Sequence, residues 1–324
     1  MRRRLAPIRW RRFYTRAAMI VALVLVVVLL ALAVILTRWR RPTPPLAEAE
    51  VIEAVEPLQG VVPLPGPIER GPPLPVVLVH GLFGFDRIGV PGARFDYFRG
   101  VAKHLGSLGC HAHAVKLPAA ASVPARAKEL CAAIEALPHA RVDLIAHSLG
   151  GLDARYALSK LGLDQRVRSL VTIGTPHRGT PIADLVVGGS RAAHGALVRA
   201  RAIVKALGIP LDALEWLSTD ALARFNADVP DAPGVRYACV VGGIRLATTP
   251  VPLPLVPAES YLRRTAGAND GLVPMSSQYW GETLAEIEAD HLSQIGWRVS
   301  VRRSFDAAGL YAFIVARLGD APHG

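Results

Sequence analysis

The chain has 324 residues, 51% of them hydrophobic and 19% charged, which excludes a disordered or collagen-like polypeptide and allows a sizeable core. Its formal net charge of +11 comes from 37 Lys+Arg against 26 Asp+Glu, but ten arginines fall within the first 41 positions, where there is no acidic residue, so the remainder is near neutral. A nucleic-acid binder would carry its basic excess on the folded body, so that class is set aside.

Residues 17–36 are twenty uncharged positions, about 30 Å of helix at about 1.5 Å per residue, enough to cross a bilayer core. Seven arginines precede this run and three follow it, which keeps a basic segment, 1–16, in the cytoplasm and sends the rest outward. The expected location is the inner membrane, single-pass, with the globular part periplasmic. A cleaved signal peptide and export is the alternative reading; its small-residue site, Ala47-Glu48-Ala49, lies beyond a charged, Pro-rich stretch. Residues 37–74 read as a Pro-rich linker and 75–324 as one domain.

From Pro75 short β-branched runs alternate with helical spacings. Residues 76–80, 112–117, 142–146, 167–173 and 235–241 are expected as strands buried on both faces, with a last strand near 284–287. Residues 95–108, 123–137 and 149–161 have the apolar spacing of helices. This order implies an α/β fold, a mostly parallel central sheet flanked by helices. Residues 181–233 break the rhythm with helical segments in a row, including 192–207 and 211–225, and read as a helical cap inserted over one end of the sheet. Cys110, Cys131 and Cys239 have no zinc or redox spacing, so no metal or other cofactor is expected.

The densest chemical signal is Val142-Asp143-Leu144-Ile145-Ala146-His147-Ser148-Leu149-Gly150-Gly151, a buried strand running through a small-x-Ser-x-Gly turn into a helix. This is a nucleophile elbow: the serine sits on a strained strand-to-helix turn, so the residues two before and two after must be small, and the helix N-terminus favours developing negative charge. The loop Val79-His80-Gly81-Leu82-Phe83-Gly84 follows the first strand, where such enzymes place one oxyanion-hole N–H; the residue after the nucleophile supplies the other. The expected donors are Leu82 and Leu149, with His80 packed beneath the loop.

A serine nucleophile needs a base and an orienting carboxylate, here in the chain order Ser, Asp or Glu, His. His194 lies in the cap and His323 at the C-terminus, which leaves His291 as the base. Asp270, in the Gly-bearing turn Asn269-Asp270-Gly271, is preferred as the acid over Asp290, because adjacent residues rarely let one grip the other's imidazole.

Together with Thr172-Ile173-Gly174-Thr175-Pro176-His177-Arg178-Gly179-Thr180 and Asp290-His291-Leu292, these segments resemble the secreted bacterial triacylglycerol lipases of the Pseudomonas and Burkholderia type, which are α/β-hydrolases. The resemblance implies a Ser148, Asp270, His291 triad, an oxyanion hole at Leu82 and Leu149, and a helical lid over the site. Those lipases hold a calcium ion with an aspartate two residues after the catalytic histidine; Ser293 stands there, so the calcium site is expected to be absent. They also carry a disulfide whose second cysteine closely follows the Asn-Asp-Gly turn, where this chain has Met275-Ser276-Ser277. The function implied is hydrolysis of lipid carboxylic esters through an acyl-enzyme, on an envelope lipid or an ester reaching the periplasm. A short-chain carboxylesterase, phospholipase, polyester depolymerase or acyltransferase would use the same scaffold. A membrane-anchored binding protein without turnover is the alternative outside enzymes.

Overall fold

The computed structural model describes residues 74–82, 87–90, 93–119, 121–188, 212–246, 251–252, 255–297 and 305–319. The expected membrane segment, the linker up to residue 73 and the expected cap helix 192–207 lie outside the described residues. Among those described, no helix is long and apolar enough to cross a membrane.

Six strands, β1 (Val76–Val79), β4 (Ala112–Ala114), β5 (Val142–His147), β6 (Val167–Ile173), β7 (Arg236–Gly243) and β8 (Glu282–Glu288), form one sheet in the order β4-β1-β5-β6-β7-β8. Every pairing in it is parallel. A parallel sheet needs crossovers, and helices α1 (Val101–Ser107), α2 (Val123–Glu135) and α3 (Leu149–Lys160) supply them between β1 and β6.

β1 and β5 are buried on both faces and β6 and β7 nearly so, whereas the edge strands β4 and β8 are partly exposed; alternate residues of the central strands serve different layers. Val76 and Leu78 of β1 join Ile145, Val171 and Val240 beneath α1 and the C-terminal helix, whose Leu310, Tyr311 and Ile314 complete that layer. Val77 and Val79 face the other way, with Leu144, Ala146 and Leu170, against Leu130 and Ile134 of α2 and Ala154, Ala157 and Leu158 of α3. Truncating one of these fully buried leucines costs about 2–5 kcal/mol.

The chain leaves β1 to one side for β4 and returns on the other for β5. The carboxyl ends of β1 and β5 therefore meet at the point where strand order reverses, the place where open α/β sheets build their sites.

Two expectations are corrected. The helix expected at 95–108 begins only at Val101; Ala93–Asp96 (β3) pairs antiparallel with Arg87–Val90 (β2) in a separate two-stranded ribbon. The physical break is Gly100, whose φ of 75° ends the extended chain and caps α1. The segment expected at 211–225 is two helices, α5 (Asp212–Glu215) and α6 (Thr219–Asp228), because Ser218 is extended and its hydroxyl accepts the Ala221 N–H at 3.3 Å, starting a new helix. With α4 (Pro181–Gly188) these are the described helices between β6 and β7. Leu217, Leu222 and Phe225 pack with Leu149, Leu152 and Leu82, so this region docks on the start of α3. Among the described residues three α-helices follow β7: α7 (Val256–Thr265), α8 (Met275–Gln278) and the C-terminal α9 (Ala307–Gly319).

Candidate active site

Ser148 joins β5 to α3 with φ 56° and ψ −130°, the one positive φ outside glycine among the described residues. Such a backbone persists only where surroundings over-determine it. Here the Ser148 N–H donates to the Ile173 carbonyl at 3.0 Å, and the Thr175 hydroxyl donates to the Ser148 carbonyl at 2.9 Å. The small neighbours are required sterically. A Cβ on Gly150 would lie 2.7 Å from the Val79 carbonyl oxygen, and one on Gly151 would collide with the Thr175 side chain.

The loop after β1, where an oxyanion donor is expected, lies against the same turn. Leu82 and Leu149 present main-chain N–H groups that donate to no protein acceptor among the described residues. His80 is buried, its Nε2 accepting the Leu117 N–H at 2.9 Å and its Nδ1 donating to the Gly81 carbonyl at 2.9 Å, so it is a support for the loop, as expected. Sequence reasoning missed the group below it. The Arg126 guanidinium donates to the carbonyls of His80 (2.7 Å), Gly81 (3.2 Å) and Pro118, and its Nε to Asp153 Oδ2 at 2.8 Å. Both partners are fully buried, and burial pushes the Asp153 carboxyl up to about 7 while Arg126 pulls it down.

Asp270 and His291 arrive from two loops beyond β7 and β8. Asp270 Oδ2 accepts from His291 Nδ1 at 2.7 Å and from Gln294 Nε2 at 3.0 Å, while Oδ1 accepts the N–H groups of Leu272 and Val273 at 3.0 and 2.8 Å. The His291 N–H also donates to the Asp270 carbonyl at 2.8 Å. A carboxylate only accepts, so Nδ1 carries the ring proton and Nε2 is left as the base. The Asn269-Asp270-Gly271 turn is pinned by Gly271 N–H donating to Asn269 Oδ1 at 2.9 Å, with Gly271 at φ 97°. His291 stacks against His147, ring centroids 4.5 Å apart, which puts it beside the residue preceding Ser148. Asp290 instead caps its own turn, accepting the N–H groups of Leu292 and Ser293 at 3.0 and 3.1 Å and the Ser293 hydroxyl.

The Ser293 hydroxyl, at the position where a calcium-ligating aspartate would stand, donates to Asp290. The Thr-Pro-His-Arg-Gly segment is structural. His177 is fully buried, 3.1 Å from the Thr172 hydroxyl through Nε2, and burial and Arg155 hold it neutral. Arg155 in turn lies over the Trp280 ring at 3.5 Å and donates to Asn226 Oδ1 at 2.9 Å, tying α3 to α6.

Residues 75–192 match the family model described as the alpha/beta hydrolase fold. The chain is 30% identical over 276 residues to triacylglycerol lipase 2 of Saccharomyces cerevisiae, covering 71% of this chain and 82% of that protein. It is 30% identical over 288 residues to the triacylglycerol lipase of Pseudomonas fragi, covering 76% and 96%. Among solved structures, a metagenomic carboxyl esterase superposes with TM-score 0.63 at 21% identity, covering 81% of this chain and 82% of that one. The mature form of a Bacillus licheniformis lipase gives 0.56 at 24%, covering 71% and 90%.

Proposed function

The chain belongs to the lipase family of the α/β-hydrolase fold, and on that premise we propose that Ser148, His291 and Asp270 hydrolyse carboxylic esters of lipids through an acyl-enzyme. The observation that carries the assignment is the 2.7 Å bond between Asp270 Oδ2 and His291 Nδ1, formed beside the strained elbow of Ser148. His291 takes the Ser148 proton as the hydroxyl attacks the ester carbonyl and returns a proton to the leaving alcohol. Asp270 holds the ring and balances the imidazolium. Charge developing on the carbonyl oxygen meets the N–H groups of Leu82 and Leu149. Water then attacks the acyl-serine by the reverse of the same proton path.

The reading extends to the acyl partner and to location. Leu82 and Leu149, packed with Leu217 and Leu222, supply an apolar wall suited to an acyl chain, and the helices between β6 and β7 serve as a lid over it. The run 17–36 anchors the chain in the inner membrane with the domain outside, so the substrate is an envelope lipid or an ester reaching that compartment. The site uses no metal.

The test is hydrolysis of p-nitrophenyl esters from short to long acyl chains, with Ser148→Ala as control. Turnover that rises with chain length, jumps above the substrate's aggregation limit and vanishes in Ser148→Ala is the expected result. Turnover confined to short chains assigns an esterase, and turnover retained in Ser148→Ala overturns the nucleophile.

A further inference from the structure

Behind the Asp270–His291 pair runs a second set of buried polar groups that acyl transfer leaves unused. Tyr97 Oη accepts the Gly81 N–H at 3.1 Å and lies 2.8 Å from His147 Nδ1. Burial holds the phenol well above its ordinary pKa, so it keeps its hydrogen, which goes to Nδ1; the His147 proton is then on Nε2. From the other side, Gln294 Nε2 donates to Asp270 Oδ2 at 3.0 Å. Flipping that amide would set its oxygen against a carboxylate oxygen, so charge fixes the orientation. Packing holds the amide in place: a Cβ on Gly242 would collide with Gln294 Nε2 and one on Gly174 with Oε1, so these two glycines form the slot in which it sits.

His147 Nε2 and Gln294 Oε1 are thus a donor and an acceptor, each buried and neither in a well-formed hydrogen bond among the described residues, although the Gln294 amide and the His291 carbonyl lie near the ring. An unpaired buried polar atom is unfavourable, and here two complementary ones occur together. They belong to neighbours: the Gln294 amide and the His291 carbonyl both act on the His147 ring, which stacks on His291. Catalytic hydrogen bonds are often long before substrate binds and tighten afterwards.

We propose that Tyr97, His147 and Gln294 are positioning residues forming one polar strut from the oxyanion loop to the Asp270 carboxylate, closed by a His147 Nε2–H to Gln294 Oε1 hydrogen bond when the site tightens on substrate. The strut rests on the assignment of Ser148, His291 and Asp270 given above. Its role is to set the two halves of the site together, so that the Leu82 N–H is in place when His291 is correctly turned.

The experiment is a double-mutant cycle in the full-length protein with Tyr97→Phe, Gln294→Met and the pair. Active centres are counted with a fluorophosphonate label, so misfolded protein does not enter kcat. Each single change is expected to lower kcat about 10-fold with KM within about twofold, as misplacement of reacting groups does. The double is expected to be no worse than the poorer single, because a strut broken once is broken. Independent structural roles would multiply to about 100-fold. That product, or a wild-type kcat in either single, overturns the proposal. If Gln294→Met gives no labelled protein, His147→Gln takes its place in the cycle with the same expectation. Ser148→Ala separates the two levels: retained activity there removes the underlying assignment, whereas a dead Ser148→Ala beside wild-type-like singles removes the strut alone.

Discussion

A Cβ placed on Gly81 would stand 2.8 Å from the Cβ of Ser148, so the loop proposed to carry one oxyanion donor and the turn of the proposed nucleophile touch with no space for a methyl group. The same Cβ would meet the Tyr97 hydroxyl at 2.9 Å and the His147 carbonyl at 3.1 Å. Gly81→Ala must therefore displace the Leu82 N–H or turn Ser148. The expected loss in kcat is about 10²–10³-fold, comparable to removing one oxyanion donor, with near-native circular dichroism. Steady-state kinetics on a soluble ester measure it, and a variant within threefold of wild type would show that the loop gives way freely.

Asp270→Asn keeps the volume of the side chain and its acceptor toward Leu272 and Val273, but turns an NH2 toward His291 Nδ1. The ring must then hold its proton on Nε2, where a base is needed. A fall in kcat of about 10⁴-fold with an unchanged unfolding midpoint is expected.

Asp153 is the sole carboxylate bonded to the buried Arg126 among the described residues. Asp153→Ala leaves an uncompensated guanidinium in the core and should destabilise the protein by about 3–5 kcal/mol in urea unfolding. Replacing both, Arg126→Met with Asp153→Leu, removes the buried charges and should restore most of that stability. It should not restore kcat, since the His80 and Gly81 carbonyls lose the donor that holds the oxyanion loop. Recovery of both together would show that Arg126 matters only to folding.

His147 and His177 are fully buried, and burial, aided by neighbouring charge, holds both well below the usual histidine value of 6.5. Below that value the unfolded chain takes up protons that the folded protein refuses, so stability is present above 6.5 and lost as pH falls beneath it. Lowering the pH from 6.5 to 5.5 should therefore reduce the stability of the fold, with both histidines contributing. Urea midpoints at the two pH values measure it. His177→Gln should halve the slope, and an unchanged slope would mean that another group sets it.

The proposed reactive positions stand out in the chain because their signals are local. The elbow at Ser148, the glycine turn at Asp270 and the strand-end loop at Leu82 each declare themselves within six residues of sequence. The central strands were legible because both faces are buried, giving unbroken apolar runs such as Val76–Val79. Arg126, Tyr97 and Gln294 were not, since each acts on a partner at least 16 positions away and nothing in its own neighbourhood marks it. The ribbon β2–β3 was hidden for another reason: Phe95, Phe98 and Val101 recur at a spacing of three, which imitates a helix until Gly100 is given its conformation. The divide between α5 and α6 carried a readable signal in Ser218-Thr219-Asp220, a capping sequence, which the apolar periodicity around it outweighed.

The conformation of Ser148 has a consequence for the evolution of this chain. Its positive-φ backbone is one that glycine adopts freely and serine does not, at about 1–3 kcal/mol. Ser148→Gly would relax the turn without touching the Ile173 and Thr175 anchors, giving an inactive protein that is more heat-resistant than its parent. Random mutation under selection for folding alone would therefore drift away from the nucleophile, and only continuing demand for its chemistry keeps a hydroxyl on that strained corner.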